Sequence, residues 1–172
     1  MLLPASDLGL ITSHLSAHDG TMMKIKLYAK QTDNSKLQKL LNTQLGTMRS
    51  HVRIMMEMID PEKSDFSSVP SLEELPKDQV DEGSKGSVNM DKHIALELKT
   101  MTESMAKDNF FSALKMKDTN VKKAHVDMAL QQVDMLKDIT EFLKEKEADS
   151  TPLGTSDEQK KVLNHFSHIM EE

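Results

Sequence analysis

The stretch Leu27-Tyr28-Ala29-Lys30-Gln31-Thr32-Asp33-Asn34-Ser35-Lys36-Leu37 decides the fold. Upstream, Leu8, Ile11, Leu15, His18, Met22, Ile25 and Ala29 recur at the three- and four-residue spacing of a buried helix face. Downstream, the spacing resumes with Leu37, Leu41, Gln44, Met48, His51 or Val52, Met55 and Ile59, until Asp60-Pro61 stops it. Only Thr32-Asp33-Asn34 separates the two patterns, so the helices must fold back as an antiparallel hairpin.

The second half repeats the arrangement. One segment carries Met90, Ile94, Leu98, Met101, Met105 and Asp108, with Phe110 and Phe111 near its end; the other carries Val121, His125, Met128, Gln132, Met135, Ile139 and Phe142. The tight turn is Lys117-Asp118-Thr119. Between the hairpins, Pro61 to Val88 is far longer than neighbouring antiparallel helices need, which marks a bundle with one long crossover. The spacing predicts an all-α, ferritin-like four-helix bundle in one domain over 1-172. Its helices are expected at about 6-31, 34-59, 89-116 and 119-146, with the crossover at 61-88. A short C-terminal helix at 156-170 should pack its Val162, Phe166 and Ile169 side on the bundle's outside or end. Ser6 is the expected cap of the first helix, and Asp7 a favourable charge for its dipole.

Composition narrows the chemistry. The chain has 14 Met, five Phe, one Tyr and no Trp, which suits helix interfaces filled by Leu, Ile and unbranched Met. The absence of Cys removes disulfides, thiolate nucleophiles and cysteine metal sites. Net charge is −6, and the crossover holds seven acidic residues against three lysines, leaving the helices nearly neutral. Without a basic stripe, nucleic acid is not an expected partner. No segment approaches a membrane span, and Met1-Leu2-Leu3-Pro4 does not open a secretory signal, so a cytoplasmic protein is expected.

A ferritin-like course raises the question of metal. The metal-binding members place a Glu on each of two helices and Glu-x-x-His on each of the other two. Here the first helix has His18 for Glu, the second has Met48-x-x-His51, and the fourth offers Gln131-x-x-Asp134 or Gln132-x-x-Met135. A di-iron centre is not expected, because carboxylates are what that chemistry depends on. His18, His51, Glu103 and Asp134 remain candidates for a single transition ion. The alternative is a polar layer in which Gln44 and Gln132 help to satisfy the histidines and set which helices pair. His14 and His18 share a face but lack the intervening Glu of H-E-x-x-H, and His165 and His168 read as surface residues. No nucleophile elbow or phosphate loop appears, so no catalytic residue and no cofactor are expected.

Leu3-Pro4-Ala5-Ser6-Asp7 entering a long helix, the turn before Ser35-Lys36-Leu37-Gln38, Ser50-His51 deep in the second helix, and Met55-Met56 ahead of Asp60-Pro61 resemble the coat F-type spore coat proteins of endospore-forming bacteria. His51 is followed here by Val52 where that pattern has an acidic residue. The resemblance covers about residues 3–146 and implies a non-catalytic structural protein, made in the mother-cell cytoplasm and placed in the spore coat. Its implied partners are other coat proteins, with a homo-oligomer as a further option. A diverged metal-binding or oxidoreductase bundle is the alternative.

Overall fold

The computed structural model describes residues 2–75, 90–149 and 152–170, and among them every regular element is helical. Four long helices form the body: α1 (Ala5–Ala29), α2 (Ser35–Ile59), α3 (Met90–Lys115) and α4 (Thr119–Glu145). A short helix α5 (Ser156–Phe166) follows, ending in a 3-10 turn at Ser167–Met170. No helix of the described residues is long and apolar enough to cross a membrane. The later part of the crossover, residues 76–89, lies outside the described residues.

Local chemistry sets the boundaries. Asn34 accepts from the amides of Lys36 and Leu37 at 3.1 Å each, and Asp118 accepts from those of Asn120 and Val121, so α2 and α4 begin immediately after their turns. Asn34→Ala and Asp118→Ala are each expected to cost about 1 kcal/mol in urea unfolding. Ser6 does not cap α1. The helix starts one residue earlier behind Pro4, and the Ser6 hydroxyl donates to its neighbour Asp7.

Asp7 itself does something the sequence did not suggest. It is fully buried, and its carboxylate accepts from the amides of Lys117 (3.0 Å) and Asp118 (2.8 Å) in the α3–α4 turn. Burial pushes its pKa up, but the amides of Asp118 and Lys117, the Ser6 hydroxyl and the Lys117 charge together bring it below the ordinary value. One side chain thus ties the start of the first hairpin to the turn of the second.

Packing gives the helix directions. The starts of α2 and α3 and the ends of α1 and α4 share one apolar cluster, built on Ile25, Leu37, Leu41, Ile94, Leu98, Ile139 and Phe142. The opposite ends share another, with Ile11, Ile54, Met55, Met58, Met116, Val121 and Met128. α2 and α3 therefore run parallel, and both run against α1 and α4. The helices of each hairpin pack on each other, α2 also packs on α4 and α1 on α3, while the parallel pairs α2–α3 and α1–α4 touch little, as diagonal partners do. Lys36 pairs with Glu145 and the Thr32 hydroxyl donates to Asp91 at the end where the first hairpin turns.

The inward faces of α2 and α4 follow the apolar periodicity, with His51 turned in and Val52 only half-buried. On α1 the buried positions are Asp7, Ile11, His14, His18, Ile25 and Ala29, so Asp7 and His14 stand where Leu8 and Leu15 were expected. Asp108, expected on the inward stripe of α3, is exposed, and Asn109 is buried in its place. α5 also departs from expectation. Every residue from 152 to 170 is exposed, so its Val162, Phe166 and Ile169 side is not packed on the bundle.

Candidate functional site

The two apolar clusters are separated by a polar layer. One stops at Met48, Met105 and Met135, and the other resumes at Ile11, Ile54 and Met128. In between, or at the edge, lie His14, His18, His51, Asn109, Ser112, His125, Gln131 and Gln132, all buried. Helical spacing explains the convergence. His14 and His18 are one turn apart on α1, His51 follows Met48 on α2, and His125 precedes Met128 on α4.

The hydrogen bonds assign most of the protons. His18 Nδ1 lies 2.8 Å from the His14 carbonyl, and His125 Nδ1 lies 2.9 Å from the Val121 carbonyl; a carbonyl only accepts, so both nitrogens carry hydrogen. Gln131 Nε2 donates to the Pro70 carbonyl at 2.8 Å, which turns Gln131 Oε1 toward His51. His51 Nε2, 2.6 Å from that oxygen, must therefore be its donor. The nitrogens left bare are His18 Nε2 and His51 Nδ1, which face each other at 3.5 Å, and His125 Nε2, which has no hydrogen-bond partner among the described residues. His14 Nε2 pairs with the Ser112 hydroxyl at 2.7 Å, and its ring meets that of His125 edge-on with centroids 5.3 Å apart.

All four imidazoles are held neutral. Burial pushes His51 down to about 3, with His18 acting in the same direction against the Gln131 hydrogen bond. His125 is lowered to about 4 by burial, against the Val121 carbonyl. Burial also lowers His18 despite the His14 carbonyl; for His14, burial and His18 together outweigh Asp108. The layer is a set of uncharged donors and acceptors.

The candidate metal residues do not converge. His18 and His51 are neighbours in the core, but Glu103 is only partly buried on α3 and Asp134 is exposed on α4. Asp134 borders a groove of about 590 Å³ between α4 and the crossover residues Val69–Glu73, with Gln131 in its lining. Among the described residues no group of three or more His, Cys, Asp or Glu side chains is placed to hold a metal ion. Gln44 donates to Gln132 at 2.8 Å, so the glutamine that serves His51 is Gln131 instead.

Sequence reasoning missed His14 as a layer member and Gln131 as the link to the surface. For His14 a signal was present: 7, 11, 14, 18, 25 and 29 form as regular a stripe as the apolar one, with polar residues on it. Compared with known proteins, the chain matches no family model, no curated protein and no solved structure.

Proposed function

We propose that this chain is a ferritin-like bundle serving as a non-catalytic structural component of the bacterial spore coat, made in the mother-cell cytoplasm and held in the coat by other coat proteins. The ferritin-like reading is supported by the helix directions, with α2–α3 and α1–α4 as parallel diagonal pairs and a crossover that must traverse the bundle. The assembly reading is carried by α5. Thr155 and Glu158 form a capping box that starts the helix independently of the bundle, and Val162, Leu163, Phe166, Ile169 and Met170 are all left more than half exposed. A segment that folds locally and leaves its apolar side unburied suits contact with another coat component.

The test is localisation in a sporulating host. A fluorescent fusion of the full chain is expected to ring the forespore, and removal of residues 152–172 is expected to disperse it while the four-helix body stays folded. A full chain that remained dispersed throughout sporulation would refute the proposal.

The facing bare nitrogens of His18 and His51 are the one observation favouring the metal-binding alternative. Protein purified without a histidine tag is expected to carry no stoichiometric metal, and His18→Gln with His51→Gln is expected to alter stability but not coat incorporation. One ion per chain, lost in that double variant together with an oxidation activity, would favour the alternative.

A further inference from the structure

A line of hydrogen-bonding groups runs from the surface into the core: the Pro70 carbonyl, the Gln131 amide, the His51 ring, the His18 ring and the His14 carbonyl. Both ends are carbonyl oxygens, which only accept, so the link at each end must be made by a donor from the line. The three groups between them can each pass one proton along the line: Gln131 presents a donor on one side and an acceptor on the other, and a neutral imidazole does the same. Four links with three protons leave one link empty. The distances locate it: the occupied links measure 2.8, 2.6 and 2.8 Å, while His18 Nε2 and His51 Nδ1 stand 3.5 Å apart with a lone pair on each.

The empty link can move. If the Gln131 amide turns over, its Nε2 donates to His51 Nε2, the His51 proton sits on Nδ1 instead, and Nδ1 donates to His18 Nε2. The proton count is unchanged, but Gln131 Oε1 then faces the Pro70 carbonyl, acceptor against acceptor. Pro70 lies on a half-buried strap whose carbonyl can take a hydrogen bond from water on leaving, whereas the interior links have no such replacement.

We infer that the strap around Val69–Leu72 and the His18–His51 pair form a latch: docking of the strap and closure of the histidine link compete for the same Gln131 amide. Docked, the strap covers α4 beside Gln131 and the core link is open. Released, the core link is closed and the groove along α4 is uncovered. This inference goes beyond the proposed coat function and does not depend on it.

The test uses the full chain labelled with ¹⁵N. Imidazole spectra report which nitrogen of His51 carries hydrogen, and amide exchange at Val69, Ser71 and Leu72 reports the strap. Gln131→Met removes the amide. Its His51 proton is expected on Nδ1, with strap exchange about three- to tenfold faster, the range for one lost hydrogen bond. His18→Gln supplies the missing fourth donor, since an amide NH2 can serve both the His14 carbonyl and His51 Nδ1. It is expected to keep His51 protonated at Nε2 and to slow strap exchange by a similar factor. Two substitutions of buried polar groups that move the strap in opposite directions cannot be explained by simple loosening of the core. Should Gln131→Met fail to fold, Val69→Ser with Leu72→Ser loosens the strap from outside and is likewise expected to move the His51 proton to Nδ1. A His51 proton that stays on Nε2 when the amide or the strap contacts are removed would overturn the latch, even if strap exchange rises. So would His18→Gln leaving strap exchange unchanged.

Discussion

Acidification from pH 7 to pH 5 is expected to destabilise the bundle by about 4 kcal/mol through His51 and His125 alone, whose folded-state values lie at about 3 and about 4. The sign follows from which state takes up protons. Unfolded histidines protonate near 6.5, while the folded chain keeps these two neutral well below that, so the unfolded state binds more protons throughout the interval. Stability is complete above about pH 6.5 and falls as the pH drops toward the folded-state values. His14 and His18, also lowered by burial, add to the loss in the same direction. Against a total of about 5–15 kcal/mol for a domain, a loss of this size removes a quarter or more of the stability, so acid unfolding is expected below about pH 5. Urea midpoints across pH 4.5 to 8 measure it. A stability flat between pH 7 and 5 would show that the histidines titrate alike in both states.

Replacement of Asp7 by Ala is expected to cost about 2–4 kcal/mol, because it takes the acceptor from the partly buried amides of Lys117 and Asp118 and removes a charge-assisted tie between the hairpins. Asp7→Asn, which keeps an acceptor oxygen but loses the charge, should fall between wild type and Ala. Thermal unfolding of the three proteins decides the order. A loss under 0.5 kcal/mol in Asp7→Ala, within the range of ordinary surface changes, would mean that the two amides find other partners.

The difference between α1 and its neighbours shows what could be read in advance. On α4 each inward position of the expected stripe is a residue that the structure buries, since Val121, Met128, Met135, Ile139 and Phe142 are apolar and regularly spaced. On α1 the inward face carries Asp7, His14 and His18, and a reading that follows hydrophobicity slides to Leu8 and Leu15. What makes those polar residues tolerable is distant in sequence. Asp7 is satisfied by Lys117 and Asp118, His14 by Ser112, and the orientation of Gln131 beside His51 by Pro70. Periodicity identifies a face but carries no record of partners a hundred residues away. The same limit applies to α5, whose apolar side was legible while its lack of a partner on the bundle was not.

A role for the layer in specificity fits its energetics. Gln44 Oε1, Ser50 Oγ, Asn109 Oδ1, His125 Nε2 and Gln132 Nε2 have no hydrogen-bond partner among the described residues, and a buried polar atom left dry and unpaired costs about 1–3 kcal/mol. An apolar layer would be more stable but would let the helices slide in register, as a polar layer that must be matched does not.

The central claim is that the buried histidines are neutral members of this layer, His51 and His125 most strongly held so. An imidazole ¹⁵N titration of the full chain from pH 7.5 to 5 tests it directly. His51 and His125 are expected to keep neutral-ring signals that disappear only together with the folded population, and His14 and His18 to protonate below the range of a free imidazole. Conversion of His51 or His125 to the imidazolium form in that range while the helices remain intact would contradict the account.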